Sequence, residues 1–190
     1  MTDSQSANSG LSTKTLVKAY PLGILIVSVV FNYFVFGLSP LLVSLPSSQV
    51  AGIVIVAAVL LVANHTWLMT ATELSRLRFN MHATPEEWEA SGASPENVPE
   101  EGWRELERHH NAHRNATENT VCFAILVGIF VMISPSMPAS AVWILGFAIA
   151  RLGHTFGYLT GSTSLRGAFM SLSLLAMYGL ASYLVLSLVA

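Results

Sequence analysis

The chain has 190 residues, 53% of them hydrophobic and only 11% charged, with a formal net charge of −2. Soluble domains carry about 25% charged residues, so this composition belongs to an integral membrane protein. The net charge argues nothing about nucleic acid, no basic cluster interleaved with aromatics suggests it, and no nucleic-acid partner is expected. The single cysteine, Cys122, excludes an intrachain disulfide and, inside an apolar run, reads as a small packing residue.

Residues 1–13 are rich in Ser, Thr, Asn and Gly without apolar periodicity, and are expected to be a disordered tail. Lys14 and Lys18 precede an apolar run over 20–45, broken only by Asn32, Gly37 and Pro40. That length predicts a first spanning helix within 14–45, since about 20 residues cross a bilayer. It exceeds the apolar part of a signal peptide, and no small-x-small cleavage site follows. An uncharged turn over 46–49 leads to a second span over 50–71, where Asn64 and His65 suit hydrogen bonding between helices.

Glu73, Arg76 and Arg78 then carry the chain out of the membrane into a hydrophilic connection over 73–106. Within it, Thr84-Pro85-Glu86-Glu87 predicts a helix start, with Thr84 as N-cap, Pro85 at the first position and Glu87 closing a capping box. The predicted helix runs through Trp88. Trp88 and Trp103 are expected at the membrane interface, which favours amphipathic rings.

The third span is preceded by E-R-H-H-N-A-H-R-N-A-T-E-N at 107–119, which passes without a break into the apolar run 121–133. Asn111, Arg114, Asn115 and Glu118 recur at i, i+3, i+4 and i+7 and so share one helical face. Two readings compete: a juxtamembrane helix with snorkelling basic residues and Glu118 neutralised by Arg114, or a face that binds a polar ligand. The fourth span, from Pro138, contains R-L-G-H-T-F-G-Y, which puts Arg151, His154, Thr155 and Tyr158 on one polar face. Gly161 to Ser164 form a loop, and Arg166 opens the fifth span.

At 1.5 Å per residue, Arg151 lies about 20 Å from Pro138 and Glu118 about 24 Å from Ser134, so the two charges are nearly level. A mid-membrane arginine costs about 2.5–3.5 kcal/mol and needs a partner, and Glu118 is the expected one. Arg76, Arg114, Arg151 and Arg166 face a single carboxylate within the spans, an imbalance that an anionic ligand would relieve. His109 and His113 have metal-ligand spacing, but nothing completes the set and no metal is expected. A transport path through His154 and Glu118 is an alternative, weakened by the absence of broken-helix repeats. Basic residues gather on one side while 46–49 and 134–138 carry no charge, which predicts a cytoplasmic N-terminus and an outer C-terminus. Short connections and the lack of a targeting segment suit a bacterial inner membrane.

Three motifs in order, Arg76-Leu77-Arg78, A-H-R-N-A-T-E at 112–118, and R-L-G-H-T-F-G-Y-L followed by Leu165-Arg166, resemble the MAPEG family of membrane-associated proteins in eicosanoid and glutathione metabolism. The likeness covers 50–190 and is greatest to the microsomal prostaglandin E synthase and glutathione transferase branch. It implies an all-α four-helix bundle, here with one extra N-terminal transmembrane helix for five spans, assembled as a homotrimer with glutathione between subunits. It implies glutathione contacts at Arg76, His113, Arg114, Asn115, Glu118, Arg151, His154 and Tyr158, with Arg166 as the catalytic residue that favours the thiolate.

Some positions depart from the family pattern. Asn111 stands where relatives carry arginine, Gly167 and Met170 where the prostaglandin branch has serine and tyrosine, and the loop before Arg166 is one residue shorter. These departures favour transferase or peroxidase chemistry on lipophilic substrates from the bilayer over a prostaglandin isomerase. A non-catalytic lipid-binding scaffold, as in the five-lipoxygenase activating branch, is the rival reading, and Arg151, Tyr158 and Arg166 weigh against it.

Overall fold

In hydrocarbon every backbone N–H and C=O must find a partner within the protein, and the helix meets that demand locally. The computed structural model describes residues 3–190 and contains five helices long and apolar enough to span a membrane. They comprise α1 (Asp3–Val30) continued by a wider π turn over Phe31–Phe36, α2 (Ser48–Arg78), α4 (Glu100–Phe130), a fourth rod, and α7 (Thr163–Ser187). The fourth rod joins α5 (Met137–Ser140), a π segment over Ala141–Leu145 and α6 (Gly146–Leu159). The short surface helix α3 (Pro85–Ser91) lies between α2 and α4, and no strand occurs among the described residues. Three helices start on serine caps: Ser47 accepts from the Val50 amide, Ser136 from Ala139 and Ser162 from Leu165.

The fourth rod is the axis of the bundle. Just over half (56%) of its most apolar window is buried, against 11% for the first span, so the other helices wrap around it. The Phe123 and Phe147 rings stack at 3.9 Å and Phe130 meets Tyr183 edge-on at 5.0 Å, which ties α4 to α6 and α7. At Gly157 a Cβ would come within 2.6 Å of the Arg166 backbone nitrogen, and one at Gly153 would run into the Phe169 ring. This small-xxx-small pair lets α6 and α7 approach closely.

The extra N-terminal helix is held by a polar lock. Asn32 is fully buried; its Nδ2 donates to the Gly179 carbonyl (2.8 Å) and Ser182 Oγ (2.9 Å), and its Oδ1 accepts from Trp143 Nε1 (2.8 Å). The Ser28 hydroxyl lies 3.2 Å from that of Ser182. The first span ends at Phe36, not near residue 45, because Gly37 turns the chain at φ 71°. Residues 37–47 then form a strap stitched across one end of the bundle. In it the Leu41 amide donates to the Ser187 carbonyl (3.1 Å), Ser44 to the Met132 carbonyl (2.8 Å), and the Ser39 amide to the Tyr183 hydroxyl (3.2 Å).

Other boundaries also differ from expectation. Helix α1 reaches back to Asp3 through the segment expected to be a disordered tail, since extending a formed helix avoids the cost of nucleation; Met1 and Thr2 lie outside the described residues. The 73–106 connection shrinks to 79–99 because α2 and α4 continue past the apolar stretch. Trp88 packs on a small core of Met81, Val98 and Leu106, beside the His82 ring, while Trp103 remains 41% exposed. The capping box forms with one change. Thr84 Oγ1 accepts from the Glu87 amide, but Glu87 reaches back to the Ala83 amide (2.7 Å). Cys122 is exposed on the bundle surface, not packed within it.

Candidate functional site

The polar face of α6 points inward as its periodicity requires. Arg151 is fully buried, and His154 and Thr155 are 3% and 1% exposed. Opposite them, α4 is rotated by its stripe of small and apolar residues, Ala112, Ala116, Phe123, Val127 and Phe130, all buried against the bundle. This rotation decides which polar residue of α4 meets Arg151. It is Asn115: Arg151 Nη2 donates to Asn115 Oδ1 at 2.8 Å. A guanidinium has only donors, so the carboxamide oxygen must face it, and the amide's N–H groups are left for the other side.

The expected Arg151–Glu118 pair does not form. Glu118 lies two residues, or 200°, round the helix from buried Ala116 and is exposed on the outer face of α4. Arg114 does not neutralise it either; its Nη2 donates to Asn111 Oδ1 at 3.2 Å. Arg151 is therefore a buried cation with no carboxylate partner among the described residues, and its Nε and Nη1 make no hydrogen bond.

In front of this pair lies a cavity of about 340 Å³, lined by Asn115, His154, Tyr158, Thr163, Arg166, Gly167 and Met170. Three helices build it: α4 gives Asn115, α6 gives His154 and Tyr158, and the first turns of α7 give the rest. The close approach at Gly157 brings the Arg166 backbone onto α6, so the Arg166 guanidinium sits over the Tyr158 ring at 5.0 Å. The His154 and Tyr158 rings meet edge-on at 5.0 Å. Arg166 is otherwise exposed at the mouth and pairs with no carboxylate among the described residues. At Gly167 an added Cβ would meet nothing within 4 Å.

The remaining expected residues lie elsewhere in the chain, on the side formed by α2 and α4. Arg76 bonds Glu73 and approaches His110 Nε2 at 3.5 Å, and the His113 ring meets that of His65 at 5.6 Å. A second cavity of about 370 Å³ opens on the same side between α2 and α4. It is bordered by Asn64, 3% exposed, whose Oδ1 makes no hydrogen bond. The expected interhelical bond from Asn64 is thus not made through that oxygen. Among the described residues no group of three or more His, Cys, Asp or Glu side chains is placed to hold a metal.

The single chain therefore divides the expected site. Asn115, Arg151, His154, Tyr158 and Arg166 come together, with Arg151 behind the wall of the cavity, while Arg76, His113, Arg114 and Glu118 do not join them. Residues missed by sequence reasoning include Thr163 at the rim, which helical spacing from Arg166 would have flagged at i−3.

No curated protein matches the chain beyond chance. A sequence profile of the MAPEG family matches residues 54–186, well over half of the chain, from the second turn of α2 to the last turn of α7. The matched region contains every residue of the cavity and excludes α1 and the strap. On that match, together with the five-span all-α architecture, the chain belongs to the MAPEG family.

Proposed function

We propose that this membrane protein is a glutathione-dependent enzyme in which a thiolate attacks lipophilic electrophiles or lipid hydroperoxides, giving transferase or peroxidase activity. The observation that carries the reading is Arg151: fully buried, unpaired with any carboxylate among the described residues, and with two guanidinium nitrogens lacking partners. Burying a charge without compensation costs several kcal/mol, so an anion held nearby is favoured. Family membership supports glutathione as that anion.

The residues present fit such a ligand. Arg166 supplies a cation at the cavity mouth, Asn115 offers amide N–H groups, and Tyr158 and Thr163 offer hydroxyls. Bound there, glutathione would supply a thiol nucleophile. The Arg166 charge lowers the cost of ionising a thiol beside it, which makes Arg166 the catalytic residue of this reading. Tyr158 holds that guanidinium through its ring face. Arg151 acts on the cavity through Asn115 and is a positioning residue.

Arg76, His113, Arg114 and Glu118 enter this reading through assembly. Arg114 and Glu118 are exposed on a spanning helix, where charges facing lipid are costly, so a second subunit covering them is favoured. A homotrimer that sets the α2–α4 side of one subunit beside the cavity of the next would complete the ligand set. The uncharged strap and the lysines and arginines gathered toward the opposite end suit an N-terminus in the cytoplasm and a C-terminus outside, as in a bacterial inner membrane.

The test is calorimetric titration of glutathione into the purified protein in detergent, with Arg151→Ala and Glu118→Ala alongside, followed by turnover on a panel of electrophiles and lipid hydroperoxides. Wild-type binding weakened at least tenfold in both folded variants, with turnover on the panel, is the expected result. No binding by the wild type, or binding without any turnover, sinks the enzyme reading. Glutathione binding that survives Glu118→Ala undiminished sinks the composite site.

A further inference from the structure

Two guanidinium groups approach the short segment 158–161 that ends α6. Arg166, from α7, lies over the Tyr158 ring, and Arg108, from α4, reaches the turn just beyond: a Cβ at Gly161 would stand 3.6 Å from Arg108 Nη1. That turn is tight, with Gly161 at φ 69° and its amide donating to the Tyr158 carbonyl at 3.1 Å. Two residues further on, Thr163 lines the rim of the polar cavity. Arg108 therefore stands beside the lip of a cavity whose walls it does not form.

The helix relates Arg108 to that cavity more closely than the sequence does. Arg108 and Asn115 are seven residues apart on α4, which turns them to within about 20° of each other and separates them by about 10.5 Å along the axis. Asn115 lines the cavity, so one face of α4 leads from the cavity out to Arg108. Arg108 is exposed and pairs with no carboxylate among the described residues. The acidic side chains before it on α4 are engaged elsewhere: Glu101 and Glu105 pair with Arg78, and Glu100 pairs with Arg104. Adjacent Glu107 points about 100° away round the helix and does not face it.

We propose that Arg108 holds one carboxylate of the thiol ligand and makes the site selective for a tripeptide-sized thiol with charged ends. The inference rests on the glutathione reading above and adds a binding residue to it. Its spacing fits, since three extended residues reach about 10–11 Å, the span from Asn115 to Arg108. Arg166 is occupied with the thiol, so a carboxylate at the ligand's end needs a cation of its own. A guanidinium grips a carboxylate with two parallel N–H donors. A single amino-acid thiol such as cysteine ends short of Arg108 and gains nothing from it.

The test is calorimetric titration of the full-length protein in detergent with three ligands: glutathione, its glycine ethyl ester, and the analogue lacking the glutamyl α-carboxylate. Arg108→Gln should weaken glutathione binding about tenfold at an unchanged melting temperature, as expected for one hydrogen-bonded charge, and Arg108→Lys should keep part of the affinity. With one of the two analogues, wild type and Arg108→Gln should bind alike, which names the carboxylate that Arg108 holds. Glutathione affinity indifferent to Arg108→Gln would overturn this proposal alone. So would a tenfold loss that persists with both analogues, because Arg108 would then act only on the shape of the Gly161 turn. No glutathione binding by the wild type would overturn this proposal and the glutathione reading together.

Discussion

Asn32 and Arg151 are both fully buried polar side chains in a membrane bundle, and they differ in one respect. Asn32 makes three hydrogen bonds at 2.8 to 2.9 Å and leaves no buried atom without a partner, whereas Arg151 makes one and leaves Nε and Nη1 bare. The first is a finished joint between helices. The second is an incomplete electrostatic arrangement, stable only because the rest of the bundle holds it. The same contrast extends to the two ends of the molecule: the strap end is uncharged and stitched, and the Arg166 end is charged and open.

Four substitutions bear on that contrast, from the largest effect to the smallest. Arg166→Ala, at the open end, should lower kcat for thiol addition about 10²-fold, a loss typical of removing one charge-stabilising donor, with a smaller change in KM. A rise in KM with kcat unchanged would make Arg166 a binding residue only. Arg151→Ala should weaken glutathione binding by about 10- to 100-fold, the worth of a hydrogen bond to a charged group, without lowering the melting temperature, because it removes an uncompensated charge. A large loss of stability in that variant would make Arg151 a joint like Asn32 and erase the distinction.

Asn32→Ala should behave in the opposite way, costing about 2 kcal/mol of stability in detergent for its three bonds while leaving glutathione affinity intact. Thr84→Ala, outside the bundle, should cost about 1 kcal/mol locally and change neither the melting of the spans nor binding. The α3 start also has a pH signature. Backbone and Thr84 hydrogen bonds hold the Glu86 carboxyl below the usual glutamate range. A depressed folded value stabilises the helix above the unfolded one, and that contribution is lost as pH falls through the folded value. Protection of the α3 amides, measured relative to the intrinsic exchange rate at each pH, should therefore fall in acid before that of α4 does.

The spacing of Arg151, His154, Thr155 and Tyr158 was enough to place one polar face, and the structure turns that face inward. The α3 start was equally legible, because capping is chemistry among residues three apart. What spacing did not settle was the rotation of α4. Asn115 and Glu118 share a helical face, and only the buried stripe through Ala112, Ala116 and Phe123 determines that Asn115 meets Arg151. That stripe was visible in the sequence, but the charge of Glu118 outweighed it. Asn32 looked like an isolated interruption of an apolar run, since its partners lie 111 to 150 residues away and no local pattern announces them. The Asp3 start of α1 was illegible for another reason: composition reports the cost of nucleating a helix, not the smaller cost of extending one.

The Asn32 lock also sets an order of events during biosynthesis. Its helix emerges first, yet Ser182, 150 residues later, belongs to the last helix to be made. At about 5–20 residues per second, roughly 8–30 s separate the two. During that interval the carboxamide must remain solvated by water or by groups of its own helix, because a bare amide in hydrocarbon is too costly. The N-terminal helix can therefore settle into its final place only when synthesis of the chain is nearly finished.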